Sequence, residues 1–271
     1  MVPSLLDNPF ARRASHSRTA LLTYRALTPL SWLLVVVFGI YYSMHRPDDV
    51  HKGSTIGKQA DINPTPFSQT KTITIIYWVI LLVSQLGYMS QLWSSAAENL
   101  TAAANVAPYY VLNNLFLLSF ILLWVRSYFW GAEIFDIASL INQGIVYWAY
   151  PGLPHIIHLP AVAGPYAWSI TTLFWNGAVA VGGYSLPKRI LANIFIWVMF
   201  LFGQAHVAHR SDQALGYSLS LLSFCKQSQR FNICLNFRSF LDGYNKRDFF
   251  LRSIVEPEAG DRERQPLLGN E

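Results

Sequence analysis

The sequence has few charged side chains. Asp, Glu, Lys and Arg make up 13% of its 271 residues, about half the share that is usual for soluble domains. Residues 73–208 contain only six of them, namely Glu98, Arg126, Glu133, Asp136, Lys188 and Arg189. A water-soluble domain of this size needs many more, because its surface must be solvated. This scarcity excludes a soluble globular fold for the central region.

Cysteine is also scarce, with Cys225 and Cys234 as the only two. Two cysteines are too few for a disulfide framework or a cysteine-based metal site. The histidines and acids match none of the usual metal signatures, so we predict no metal and no cofactor. The net charge of +5 comes from the two end segments and the first loop. That distribution suits bilayer orientation, and we predict no nucleic-acid partner.

What the chain does contain is a series of long apolar segments. Six are long enough to cross the hydrocarbon core of a bilayer, which needs about 17–25 residues. They are residues 27–43, 73–93, 106–125, 128–147, 161–183 and 190–208. Open strands cannot satisfy their backbone groups in lipid, so each segment should be a helix. We therefore predict an all-α, polytopic transmembrane bundle with six spans.

Polar segments divide the chain into three parts. Residues 1–26 are basic and should lie in the cytosol under the positive-inside rule. Residues 27–225 form the multi-span domain, and residues 226–271 are a basic, then disordered, tail. The segment from Ala214 to Cys225 begins like a seventh span but ends after 12 residues. It is too short to cross a bilayer, and we interpret it as an incomplete hydrophobic segment.

Ionisable side chains inside spans are candidate functional residues, because burying them in lipid is costly. Glu133, Asp136 and Gln143 share one face of the fourth span. Arg126 is close enough in sequence to reach the same face. This face predicts an ion path, a proton path or a polar ligand site. The alternative is that Glu133 and Asp136 lie at the membrane edge, solvated or paired with Arg126.

Amide side chains form a second polar set inside the spans. They are Asn113 and Asn114 in the third span, Asn176 in the fifth, and Asn193 and Gln204 in the sixth. Buried amides commonly join helices by hydrogen bonds. One interpretation is therefore packing, and the other is a surface that lines a substrate path.

A catalytic alternative rests on His158, in the loop before the fifth span. A histidine can act as general base for a hydroxyl nucleophile, and Thr72 or Thr74 could supply that hydroxyl. The phrase PHIIH at residues 154–158 resembles the histidine phrase of androgen-inducible membrane hydrolases. These are six-span enzymes that cleave lipid esters with a threonine nucleophile. The resemblance implies a lipid ester hydrolase with a Thr/His pair.

The C-terminal tail carries a short linear motif. Glu263 is followed, after three residues, by Leu267 and Leu268, which fits the acidic dileucine pattern. Cytosolic coat adaptors read such motifs and route membrane proteins to vacuoles or lysosomes. The motif predicts coat adaptors as partners, in addition to the lipid bilayer.

Several longer phrases resemble a fungal family of multi-pass membrane proteins classed only as a domain of unknown function. They include VLNNLF at residues 111–116, VRSYFWGAE at 125–133, GPYAWSITTLFWNGA at 164–178 and RILANIFIWV at 189–198. The likeness covers residues 8 to about 222 and implies fungal origin and membrane placement, but no reaction. It ends near Ser223, and we hypothesise that residues 226–250 are a gene-model artefact.

Together these features predict a non-enzymatic, transporter-like or scaffolding bundle in the fungal endomembrane system. We expect the vacuolar membrane as its location, with the N-terminus in the cytosol. The alternatives are the lipid ester hydrolase and a membrane trafficking adaptor. Nothing in the sequence specifies a substrate or an oligomeric state.

Overall fold

The computed structural model describes residues 8–65, 67–182 and 212–222, together with positions 187, 190, 194, 198, 201, 202 and 205. This part of the chain is all-helical and contains no strand. The all-α fold class is thereby confirmed.

Five long helices and several short ones form the described part of the chain. They are α1 (Arg18–Met44), α2 (Ile56–Ile62), α3 (Lys71–Ser90), α4 (Ala97–Trp124), α5 (Phe129–Ala149), α6 (His155–His158) and α7 (Gly164–Val181), followed by α8 (213–222). A 3-10 turn, Gln91–Trp93, continues α3. A π-helical turn, Leu159–Ala163, joins α6 to α7.

Three of these helices are long and apolar enough to cross a membrane, namely α1, α3 with its 3-10 turn, and α4. We predicted six spans, so the structure supports half of that number. Helices α5 and α7 coincide with predicted spans but are not among these three, and each carries buried polar side chains. The sixth predicted span, residues 190–208, lies mostly outside the described residues.

Large apolar side chains cover the outside of the long helices. On α3, for example, Ile75, Val79, Ile80 and Val83 are each 55–61% exposed. Apolar surface in water costs about 25 cal/mol per Å², and soluble monomers rarely expose large contiguous patches of it. A bundle whose outer surface is this apolar is compatible with a lipid environment.

Helix α4 is the central element of the bundle. It packs between α1 and α5, and α5 in turn packs between α4 and α7. Of the apolar stretch of α4, 44% is buried, against 17% for α1 and 28% for α3. Helix α3 packs mainly on α6 and the π-helical turn. Helix α8 contributes Leu215 and Leu222 to the same core.

Hydrogen bonds show which helix ends lie together. Arg25 Nε donates to the carbonyl of Leu92, at 2.8 Å, so the start of α1 lies beside the end of α3. At the other end, the Ser54 amide donates to the carbonyl of Val125, at 2.9 Å. The connection between α1 and α3 therefore lies beside the end of α4. Helices α1, α3 and α4 therefore run antiparallel in succession.

The start of α4 differs from the sequence-based expectation. The helix begins at Ala97, nine residues before the predicted span, and Pro108 lies inside it rather than at its entrance. Proline is tolerated inside helices of membrane bundles because neighbouring groups satisfy the freed backbone. The hydroxyl of Tyr88 donates to the carbonyl of Ala103 at 3.2 Å, next to the carbonyl of Ala104 that Pro108 leaves without its helical donor.

The loop predicted before the fifth span is helical as well. It contains α6 and the π-helical turn, and Pro160 and Pro165 supply no amide donors there. Side chains of α3 bond to this region. Gln85 Nε2 donates to the carbonyl of Pro160 at 3.2 Å, and the Tyr77 hydroxyl donates to the carbonyl of Gly164 at 2.8 Å. Contacts from another helix, which local sequence does not encode, hold the turn in place.

Candidate functional site

Helix α5 has its polar face inside and its apolar face outside. Ile134, Ile137, Ile141 and Ile145 recur at helical spacing and are 41–66% exposed. The opposite face is buried and carries Glu133, Asp136, Ser139, Asn142 and Gln143. A surface helix of a soluble protein has the opposite arrangement, with its apolar face toward the core and its polar face toward water. Buried ionisable groups of this kind mark functional sites in membrane bundles.

Glu133 is held against α7. Its Oε2 accepts a hydrogen bond from Asn176 Nδ2 at 2.7 Å, and the same Nδ2 donates to the carbonyl of Phe129 at 3.0 Å. The carboxyl also lies against the backbone of Gly177, where an added Cβ would be 3.0 Å from Oε1. Glu133 is 9% exposed and Asn176 is fully buried. The structure therefore brings together one residue from each of the two predicted polar sets.

Asp136 lies one turn along the same face and is 4% exposed. It interacts with Thr172 of α7 and with Glu133. Its Oδ2 has no hydrogen-bond partner among the described residues. A buried carboxylate oxygen without a partner is costly, so this atom is a candidate contact for a ligand.

Asp136 lines a narrow, partly open cleft between α1, α3, α4, α5 and α7. Its other polar lining residues are Gln85, Asn113, Asn114, Ser139 and Ser169, and apolar and aromatic side chains, among them Trp78, Leu82, Phe116, Phe120, Phe135 and Trp168, form the rest. The interior has room for about one water molecule. A bare ion or a proton fits this space, whereas an organic solute does not.

Hydrogen bonds fix the polar lining of the cleft. Ser139 Oγ donates to Asn113 Oδ1 at 2.7 Å and lies 3.0 Å from Ser169 Oγ. Asn114 turns to α1 instead, where its Nδ2 donates to Ser31 Oγ at 3.1 Å. Asn113 thus joins α4 to α5, and Asn114 joins α4 to α1. Both amides therefore link helices by hydrogen bonds.

No Lys, Arg or His of the described residues interacts with either carboxyl of this site. Arg126 lies elsewhere, because its Nε donates to Asp49 Oδ2 at 2.8 Å and its Nη2 to the Tyr42 hydroxyl at 3.3 Å. The hydrogen bond from Arg126 lowers the pKa of Asp49. The alternative in which Glu133 and Asp136 are solvated or paired with Arg126 is therefore wrong, since both carboxyls are buried and the guanidinium is engaged by the α1–α3 connection.

His158 does not meet the proposed threonine nucleophiles. Its Nε2 lies 2.7 Å from Asp212 Oδ2, beside the part of α3 where Gly87 packs on α6. Thr74 lies 13 residues earlier in α3, about 20 Å away at about 1.5 Å per residue, and Thr72 is farther still. The structure therefore does not form the Thr/His pair.

Gln143 is fully buried, and its amide has no hydrogen-bond partner in the part of the chain that the structure describes. Asn193, Gln204, Glu263, Leu267 and Leu268 lie outside the described residues. In that same part, no group of three or more His, Cys, Asp or Glu is placed to hold a metal ion.

Three site residues were missed at the sequence level, namely Ser139, Asn142 and Ser169. Ser139 follows Asp136 by three positions, so the helical period alone could have found it. Asn142 donates through Nδ2 to the carbonyl of Tyr109 at 2.9 Å. Ser169 gives no sequence signal, since its role depends on the contact between α5 and α7.

The fold and site define a helical bundle with an apolar exterior and a carboxyl-containing interior. Residues 189–237 match the family model described as fungal protein of unknown function (DUF1774). The resemblance to a fungal family of unknown function is thus confirmed. No curated protein and no solved structure matches the chain. The match includes part of residues 226–250, beyond the point where we expected the likeness to end, and the gene-model hypothesis stays a prediction.

Proposed function

We propose that the chain is an integral membrane protein whose bundle binds a proton or a small cation at Asp136 and Glu133, as part of a transport function. The observation that carries this proposal is Asp136, which lines the cleft and whose buried Oδ2 lacks a partner within the described part of the chain. The arrangement on α5, polar inside and apolar outside, supports it further.

The charge balance of the site favours a cationic ligand. Two carboxyls lie one turn apart in the interior, and no basic side chain of the described residues interacts with them. Burying charge in a low-dielectric environment is costly unless it is paired or neutralised. A bound proton or cation would remove that cost, and Asn113, Ser139 and Ser169, which carry side-chain oxygen atoms, line the same cleft as Asp136.

Proton and cation flux through proteoliposomes tests the proposal. The full chain is reconstituted in vesicles that contain a pH-sensitive dye, and a pH or cation gradient is imposed with and without a clamped membrane potential. The variants are Asp136→Asn and Glu133→Gln, which keep the side-chain size and remove the charge. The matched control is Ile137→Val, on the exposed face of the same helix.

We expect flux in the wild type and in the control, and at least a tenfold loss in Asp136→Asn. Glu133→Gln should lower flux less, because Asn176 still holds the side chain. Absence of flux in the wild type under every gradient, or equal flux in wild type and Asp136→Asn, would reject transport. The buried amides would then act as packing contacts in a scaffolding bundle.

We further propose that the protein resides in the endomembrane system, with the vacuolar membrane as its destination and the N-terminus in the cytosol. The acidic dileucine motif supports this placement. A tail-tagged Leu267→Ala, Leu268→Ala variant should leave the vacuolar membrane for another compartment, whereas Leu251→Ala, outside the motif, should not. Unchanged location of the double variant would contradict the sorting role and the trafficking-adaptor alternative that depends on it.

A further inference from the structure

The segment before α1 is docked on one end of the bundle. The amide of Arg13 donates to Asn105 Oδ1 at 2.9 Å, and Asn105 Nδ2 donates back to the carbonyl of Arg13 at 2.9 Å. The Tyr109 hydroxyl donates to the carbonyl of Phe10 at 3.0 Å. Residues 8–17 are therefore ordered without being helical, and two side chains of α4 hold them by backbone hydrogen bonds.

The two serines of this segment, Ser15 and Ser17, differ in their neighbours and in their hydrogen bonds. Ser15 follows Arg12 and Arg13, at the third and second positions before it, and it is exposed. Its hydroxyl makes no hydrogen bond to the described residues. Ser17, by contrast, caps α1 by accepting the amide of Ala20 at 3.2 Å.

We propose that Ser15 is a phosphorylation site for a serine kinase that selects basic residues before its target. Kinases discriminate substrates by charge patterns of this kind, and two adjacent arginines at these positions present one. The segment is non-helical, as a chain must be to extend along a kinase cleft. The site is independent of the carboxyls of α5.

The reaction balances with ATP as co-substrate. Ser15 Oγ attacks the γ-phosphorus, the bond from that phosphorus to the bridging oxygen of ADP breaks, and the hydroxyl proton passes to the base of the kinase. The product carries a phosphate of about −2 charge. That charge lies two residues before the N-cap of α1, at the end of the helix where the dipole favours an anion, and Arg12, Arg13 and Arg18 are its neighbours in sequence.

Asn105 limits the reaction in this structure. A kinase must draw the backbone around Arg13 into its own cleft, and both backbone groups of Arg13 are bonded to Asn105. The segment must therefore leave the bundle before it reacts. Removing the Asn105 amide lowers the cost of this local opening, so Asn105 is a positioning residue that slows modification.

The test uses the full chain in detergent micelles, a purified kinase of this specificity and radiolabelled ATP, with the site mapped by mass spectrometry. We expect label in the wild type and at least a tenfold loss in Ser15→Ala and in the double variant Arg12→Gln, Arg13→Gln. Asn105→Ala should be labelled several-fold faster. The control Ser95→Ala removes an exposed serine without arginines before it and should leave the label unchanged.

The outcomes separate the proposal from a general effect on folding. Persistence of label in Ser15→Ala, or no label on Ser15 in the wild type, would overturn it. The same peptide from tagged protein purified from fungal cells should carry the phosphate, and its absence under all growth conditions would also overturn the proposal. Since the transport assay does not involve Ser15, failure of either proposal leaves the other intact.

Discussion

Replacing Asn176 by Leu tests whether the contact between α5 and α7 is as specific as the structure shows. The substitution keeps the size of the side chain and removes its amide. It breaks the hydrogen bonds of Asn176 Nδ2 to Glu133 Oε2, at 2.7 Å, and to the carbonyl of Phe129, at 3.0 Å. The bond to Glu133 is buried, where water does not readily replace the lost donor, and the bond to Phe129 is part-buried.

The expected cost follows from these two bonds. Inter-helix hydrogen bonds in membrane proteins contribute about 0.6 kcal/mol on average and up to about 1.7 kcal/mol, so the pair contributes about 1.2 kcal/mol. A buried acceptor left without a donor adds about 1–3 kcal/mol. We therefore expect Asn176→Leu to lower the free energy of unfolding by about 2–4 kcal/mol.

The second half of the experiment is a double-mutant cycle with Glu133→Met. When both polar partners are replaced by apolar side chains of similar size, position 133 no longer carries an unpaired buried acceptor, and the loss should be small. The double variant should therefore be more stable than Asn176→Leu alone, with a coupling energy of at least about 1 kcal/mol. Unfolding in mixed micelles, followed by tryptophan fluorescence, measures all four species.

The control is Asn99→Leu, the same chemical change in the first turn of α4. Asn99 makes one long bond, 3.3 Å to Gln91 Oε1, and its loss should cost about 0.5 kcal/mol or less. Equal effects of Asn99→Leu and Asn176→Leu, or additive effects of Asn176→Leu and Glu133→Met, would refute the pairing on which the site depends.

Three further perturbations test the packing of the helices and the contact of Asp212 with His158. Gly164→Ala should lower the free energy of unfolding by more than about 1 kcal/mol, because its Cβ would lie 2.5 Å from Leu81 Cδ1. Gly39→Ala, with no atom within 4 Å, should be neutral or raise stability by up to about 1 kcal/mol. Acid should weaken the contact between Asp212, at the start of α8, and His158. Burial alone would raise the pKa of Asp212, but the hydrogen bond and the charge interaction with His158 outweigh it and lower that pKa from 3.8 to about 2. This stabilisation is complete above about pH 4 and is lost as the pH falls through about 2; hydrogen exchange in α8 measures it, and exchange that is constant over this range would contradict the pairing.

The sequence by itself determined the helical class and the position of the long helices. Apolar segments of span length, and the period of 3.6 residues, are local properties that do not depend on neighbouring helices. For the same reason, the polar face of α5 was visible from Glu133, Asp136 and Gln143 alone. Helix ends were less well defined, since Ser17 extends α1 by capping it at Arg18, well before the apolar segment begins.

Only the tertiary structure decided which partners those polar groups have. Glu133 and Asn176 are 43 residues apart, and Arg126 and Asp49 are 77 residues apart. The period of a helix shows which side chains share a face, but the neighbour of that face depends on how every helix is rotated and packed. Arg126 therefore turned away from the carboxyls that its sequence position suggested. Asp136 lines the cleft with a carboxyl oxygen that has no partner among the described residues, because the packing of five helices brings none of their basic side chains to it.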